Sequence, residues 1–175
     1  MHEQAFPNPE AGCLGPAVPA VFATMSQSLT HLLVHVVFST AGREAFLTDS
    51  SLRAELHDYL GGLVAHHGGK SLGVGGVADH VHLLVVLPKT LALCDLVRDL
   101  KRGSSLWLKK RDDSLRNFAW QGGYGAFSVG QGEVELVRAY IAQQEQHHRK
   151  RTFQDEYRAF LTKYGIDFDE QYLWE

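Results

Sequence analysis

The sequence predicts an α+β domain: an antiparallel sheet with helices on one face, followed by two more helices. Two observations carry this expectation. Alternating or continuous apolar runs mark strands at Leu29–Thr40 and Asp79–Pro88, and four segments repeat apolar residues at helical spacing. Their order along the chain is βαββαβ and then the two helices, which is the split βαβ plan of ferredoxin-like domains.

The elements follow in turn. Leu32, Val34, Val36 and Phe38 share one face of the first strand, and His31, Leu33, His35 and Val37 share the other. Asp49 to Ser51 offer N-caps for a helix that carries Leu52, Leu56, Tyr59, Leu60 and Leu63 inward and stops at Gly68-Gly69. Ser71 to Val77 is a glycine-rich second strand. The run Asp79-His-Val-His-Leu-Leu-Val-Val-Leu-Pro88 is the third, apolar on both faces and therefore central. Leu93, Val97, Leu100, Trp107 and Leu108 mark an amphipathic helix to about Lys110, with Gly103 as its weak point. Phe118 to Val129 reads as an aromatic strand whose glycines admit close approach of other groups. A helix from Glu133 to about Arg149 follows. Thr152-Phe-Gln-Asp155 then caps a last helix with Phe153, Tyr157, Phe160 and Leu161 inward and Gly165 at its end.

Residues 1–24 stand apart. They hold four of the five prolines (Pro7, Pro9, Pro16, Pro19) and no Lys or Arg, so a disordered leader is expected there, with Met25 as an alternative start. Residues 25–175 are expected to form a single domain. Cys13 and Cys94 lack metal-type spacing and build no disulfide framework, which fits a reducing cytoplasm. No apolar run is long enough to cross a bilayer, so no membrane partner is expected. The net charge of −3 argues against a strongly basic nucleic-acid binder and shifts attention to local charge.

His80 and His82 lie two residues apart on one strand and so project from the same face. Such a pair is either a metal site or two histidines satisfied by their neighbours, and the distant end of the chain decides between them. There Tyr140 and Gln144, four apart, share one side of a helix. A phenol is a poor nucleophile unless a base, a lowered pKa or a metal helps it. A divalent ion held by His80, His82 and the Gln144 amide oxygen could polarise a phosphate, and two nitrogens plus one oxygen suit Mg²⁺ or Mn²⁺.

These residues carry a resemblance. His80-Val81-His82 on a strand, with Tyr140 and Gln144 on a later helix, resembles the single-tyrosine HUH transposases of bacterial insertion sequences. The segments His35-Val-Val-Phe-Ser-Thr, Asp79-His-Val-His-Leu-Leu-Val, Gly123-Tyr-Gly-Ala-Phe-Ser-Val and Tyr140-Ile-Ala-Gln-Gln-Glu-Gln-His-His are also similar, and the likeness runs from about Ser28 to Leu173. It implies a metal-dependent homodimer that cuts and rejoins single-stranded DNA, at hairpins near element ends, through a 5′-phosphotyrosine. Carried over, His80, His82 and Gln144 are the metal ligands and Tyr140 the nucleophile. In that family the tyrosine helix can serve the partner subunit's site, and Ser128-Val-Gly-Gln-Gly132 offers a hinge for such an exchange.

For DNA contact, Arg98, Lys101, Arg102, Ser105 and Lys109 form a basic edge on one helix, or equally a solvated face beside Asp95 and Asp99. Arg149, Lys150 and Arg151 form a second cluster, readable as favourable charge at a helix end. His147 and His148 could extend the site or cap the helix, and the cap is the favoured reading. A non-catalytic or domesticated DNA-hairpin-binding protein of the same fold is the alternative. A small metal hydrolase or cupin fits less well, because Leu83-Leu84-Val85 follow where a further ligand would be needed.

Overall fold

The computed structural model describes residues 28–171, 173 and 174, so the leader expected over 1–24 lies outside the described residues. The observed fold is α+β, built on one four-stranded antiparallel sheet. Its strands are β1 (Leu32–Ser39), β2 (Lys70–Gly76), β3 (His80–Leu87) and β4 (Gly125–Ser128), in the order β2-β3-β1-β4. The helices are α1 (Ser50–His66), α2 (Leu93–Arg111), α3 (Val134–Ala142), the single turn α4 (Gln144–His147) and α5 (Phe153–Lys163).

β3 is central, paired antiparallel with β1 on one side and β2 on the other. Alternation therefore gives it two buried faces with different tenants. Val81, Leu83 and Val85 join Val36 and Phe38 of β1 in the main core, closed by Leu56, Leu60 and Val64 of α1 and Leu96, Leu100 and Leu108 of α2. The opposite face carries His80, His82 and Leu84 of β3 with Leu33, His35 and Val37 of β1. It is covered by α3, through Ile141 and Val137, and by α5, through Phe153 and Leu161.

Local chemistry sets the helix starts as expected. Asp49 accepts from the backbone N–H of Ser51 and Leu52 at the head of α1, and Thr152 accepts from Asp155 N–H at the head of α5. Two expectations need correction. The last strand is short: only Gly125–Ser128 pairs with β1, while Trp120 makes an isolated bridge to Thr40. Between them the Lys101 ammonium gathers the carbonyls of Gln121, Gly122 and Gly123, where the ladder is interrupted. The single helix expected from Glu133 to Arg149 is broken at Gln143 (φ −101°, ψ 15°), separating α3 from α4.

β2 explains how α3 sits so close. Gly73 and Gly75 present bare backbone towards it, and a Cβ on Gly75 would run into the Ile141 carbonyl oxygen and lie 2.8 Å from Ile141 Cγ2. The glycine-rich strand is thus a seat for the helix that carries Tyr140.

Candidate metal centre and tyrosine

Four elements bring polar side chains to one buried point. β3 contributes His80 and His82, α3 contributes Tyr140, α4 contributes Gln144 and α5 contributes Glu156, with His148 from the turn after α4. His80, His82, Gln144 and Glu156 are each at most 2% exposed. Their burial would be costly without partners.

Glu156 is the hub. Its Oε1 accepts from the Tyr140 hydroxyl and from Gln144 Nε2 (3.1 Å), while its Oε2 lies 3.1 Å from His148 Nε2. The same Oε2 stands 3.5 Å from His82 Nε2 and 3.8 Å from His80 Nε2, too long for good hydrogen bonds. His80 Nε2, His82 Nε2 and Gln144 Oε1 are consequently buried with no hydrogen-bond partner. Those atoms are the three expected to ligate a metal. One ligand atom from each of His80, His82, His148 and Glu156 falls within 4.8 Å of all the others, a cluster able to hold a divalent ion. The residues present fit the group.

The far nitrogens of the strand histidines are held from behind. His80 Nδ1 lies 2.7 Å from the Asp79 carboxylate, and His82 Nδ1 lies 3.0 Å from His35 Nε2. Such outer partners fix which nitrogen faces a metal. Electrostatics point the same way. Burial, and then the neighbouring histidines, holds His82 well below its usual range, so it is neutral and able to ligate. Burial pushes His148 down to about 4 and, with the Asp79 charge second, pushes Glu156 up to about 8.

Tyr140 is packed rather than free. Its ring meets His147 edge-on at 5.1 Å and lies 6.0 Å from His82 and 5.9 Å from Phe160. A cavity of about 730 Å³ opens beside it, lined also by Gln143, His147, Arg149, Lys150 and Arg151. His80, His82, Tyr140 and Gln144 are all brought to one side of the sheet within the chain.

The basic edge of α2 lies elsewhere, on the side of the sheet opposite the histidines. Arg98 is paired with Asp95 (2.5 Å) and Asp99 (3.2 Å), and the Lys101 ammonium is committed to its three carbonyls. Arg102, Ser105 and Lys109 line a separate cavity of about 410 Å³ with Trp120 and Tyr124.

Sequence reasoning missed two members of the cluster. His148, expected as a helix cap, has its ring 4.5 Å from that of His80. Glu156 reads in sequence as a favourable acid in the first turn of a helix. The overlooked signal is its position: three after Phe153 and four before Phe160, a carboxylate on the apolar stripe of α5.

An antiparallel α+β domain that gathers imidazoles, a carboxylate and a tyrosine at one buried point has the make-up of a metal-dependent nuclease. The chain belongs to the single-tyrosine HUH transposases: residues 28–144 match the family described as Transposase IS200 like. That match ends at Gln144, so His148 and Glu156 lie beyond it. Among solved structures, the chain is similar to a candidate transposase from Deinococcus radiodurans R1, with a TM-score of 0.53 and 21% identity over 69% of this chain and 98% of that one. It is also similar to a REP-associated tyrosine transposase bound to a REP hairpin, with a TM-score of 0.52 and 14% identity over 71% of this chain and 74% of the other. No curated protein matches it. No helix among the described residues is long and apolar enough to cross a membrane.

Proposed function

We propose that this chain is a transposase that cleaves and rejoins single-stranded DNA at insertion-sequence ends through a 5′-phosphotyrosine intermediate. The observation that carries the reading is the shared carboxylate. Glu156 accepts the Tyr140 hydroxyl and the Gln144 amide while facing the bare nitrogens of His80 and His82. Nucleophile, proton acceptor and metal ligands are thereby within one constellation.

In the proposed reaction the Tyr140 oxygen attacks the scissile phosphorus and its proton passes to the ionised form of Glu156, which a divalent cation beside it would favour over the protonated acid. The new bond joins tyrosine to the 5′-phosphate, and the phosphorus–O3′ bond breaks, its oxygen taking a proton from solvent to leave a 3′-hydroxyl. Rejoining reverses these changes with a second 3′-hydroxyl, so no ATP is consumed. His80, His82 and Gln144 would hold the metal, with Glu156 and His148 beside them. A bound divalent ion supplies Lewis-acid stabilisation of charge on the phosphate. Three imidazoles with oxygen donors favour Mn²⁺ over Mg²⁺. Arg149, Lys150 and Arg151 at the mouth of the cavity would position the strand through its phosphates, and Arg102 and Lys109 would be secondary contacts.

The finer reading of the fold is a ferredoxin-like βαββαβ core with a tyrosine-bearing helix and a C-terminal helix added. The β2-β3-β1-β4 order with antiparallel neighbours supports it. By likeness to the hairpin-bound relative, the partner is a DNA hairpin with single-stranded flanks. We take the enzyme to be a cytoplasmic homodimer in which the tyrosine helix can serve the partner subunit's site.

Incubating the protein with labelled single-stranded oligonucleotides carrying a hairpin, in Mn²⁺, should yield a covalent adduct on denaturing electrophoresis. The adduct should map to Tyr140 and vanish in Tyr140→Phe, which keeps the ring. An adduct that survives this change, or maps to Tyr124, Tyr157 or Tyr164, would sink the assignment.

A further inference from the structure

His35 is a buried imidazole with no place in the reaction proposed above. It sits on β1, 3% exposed, and its Nε2 lies 3.0 Å from Nδ1 of His82 with the two rings stacked at 5.2 Å. The register accounts for the meeting. His82 pairs with Val37, so His35 is its diagonal neighbour on the same face of the sheet.

Two neutral imidazoles can share this hydrogen bond in either direction, and the directions are not equivalent. If His82 donates from Nδ1, its Nε2 carries a lone pair towards Glu156 and the cluster. If His35 donates instead, His82 Nε2 carries a hydrogen and cannot ligate. His82 Nε2 is buried and makes no hydrogen bond, its nearest acceptor, Glu156 Oε2, standing at 3.5 Å, so a lone pair there is left free to meet a cation.

We propose that His35 is a positioning residue that accepts from His82 Nδ1 and thereby holds His82 in the tautomer that presents Nε2 to a metal. It is the counterpart of Asp79, which does the same for His80 from 2.7 Å. The different choice of acceptor follows from location. Asp79 stands partly exposed at the strand end, where a charge stays hydrated. His35 is enclosed by Phe127, Phe160 and Tyr140, with Phe160 edge-on at 5.2 Å, and a carboxylate there would be a costly buried charge. An imidazole offers an acceptor without a net charge. By touching both His82 and the Tyr140 ring, it also fixes their spacing.

This inference rests on the metal reading of the site, and the test separates the two. In the metal-free wild-type protein, ¹⁵N spectra of the histidine rings should show His82 protonated at Nδ1 and bare at Nε2. Finding the hydrogen on Nε2 overturns the proposal and requires no variant to fold. His35→Phe keeps a ring and removes the acceptor, and it should lower Mn²⁺ affinity by about 10–100-fold and mix the His82 tautomers. His35→Gln restores an acceptor oxygen and should recover most of that loss, which mere packing would not explain. Should His35→Phe not fold, the wild-type tautomer and the affinity of His35→Gln decide the matter, a full loss in the latter counting against the proposal. Equal Mn²⁺ affinity in wild type and His35→Phe refutes the role of His35. Absence of Mn²⁺ binding by the wild type refutes the metal reading instead, while the tautomer still judges His35.

Discussion

The two faces of β3 belong to one strand and one hydrogen-bond ladder, yet they are built for opposite purposes. Towards α1 and α2 the strand shows Val81, Leu83 and Val85, each fully buried among aliphatic and aromatic neighbours. Towards α3 and α5 it shows His80 and His82, as deeply buried but left with bare nitrogens. The first face gains stability from burial of apolar surface. The second forgoes some of that gain to hold unpaired polar atoms in a fixed arrangement, which is the usual cost of a preorganised site. Stability and chemistry should therefore separate by face.

The sharpest break is removal of the metal-facing imidazoles. The His80→Ala, His82→Ala double variant should fold, bind Mn²⁺ far more weakly and lose DNA cleavage, because only Gln144, Glu156 and His148 remain as donors. Calorimetric titration with Mn²⁺ measures it, and unchanged affinity would remove these residues from the site. The complementary change is Leu83→Ala, one residue along and on the other face. It should cost about 2–5 kcal/mol of stability in urea unfolding. Below the unfolding transition, the adduct yield per folded molecule should be unchanged. A Leu83→Ala protein that is stable but inactive would contradict the division by face.

How much of this division the sequence reveals depends on whether a residue's neighbours are local. The β3 alternation declares both faces at once, and Tyr140 and Gln144 declare themselves by their four-residue spacing. The helix break at Gln143 is silent, since Gln143-Gln-Glu-Gln-His-His148 is compatible with continuous helix. What fixes α4 is tertiary: buried Arg53 of α1 donates to the Leu47 carbonyl (2.6 Å) and reaches the Glu145 carboxylate. Glu156 escapes notice for the same reason, because its partners lie on α3, α4 and β3. The α2 stripe is the converse case, its cations being regular in sequence but partly committed to carboxylates and carbonyls in space.

Titration offers a subtler way to set the faces against each other, because on β3 itself only the polar face carries side chains that ionise. On the polar face the depressed histidines His35 and His148, each pushed down to about 4, are protonated in the unfolded chain below about 6.5 but not in the fold. The unfolded state binds more protons there, so stability rises with pH from about 4 to 6.5. Glu156 acts in reverse. Its folded pKa, raised to about 8 by burial and then by the Asp79 charge, exceeds the usual carboxylate value of 4.5. Its contribution is complete below about 4.5 and lost as pH rises towards 8. The metal-free protein should thus be most stable near pH 6.5 and weaken towards 8. Glu156→Gln, which imitates the protonated acid, should abolish the decline above 6.5. Urea unfolding across pH 5–9 tests this, and an unchanged decline in Glu156→Gln would show that another group governs it.

The smallest effects come from adding one methyl group to a glycine on each side of the sheet. Gly62, exposed on α1, has open space where a Cβ would stand. Gly62→Ala should stabilise the protein by about 0.4–1 kcal/mol, through the lower entropy of the unfolded chain. Gly75 lies on β2 under α3, where the same atom would meet the Ile141 carbonyl oxygen and side chain. Backbone cannot swing aside as a flexible side chain can, so α3 must shift, at a cost of about 1–3 kcal/mol for an overpacked contact. The shift has a direction with consequences. Ile141 lies between Tyr140 and Gln144, so lifting it carries both away from Glu156 and His82. Gly75→Ala should therefore weaken Mn²⁺ binding and slow adduct formation beyond what its stability loss explains, whereas Gly62→Ala should leave both untouched. Melting temperature, Mn²⁺ titration and adduct rate on the two variants supply the comparison. If Gly75→Ala lost stability yet bound Mn²⁺ and formed adduct like the wild type, α3 would not owe its placement over the histidines to the bare backbone of β2.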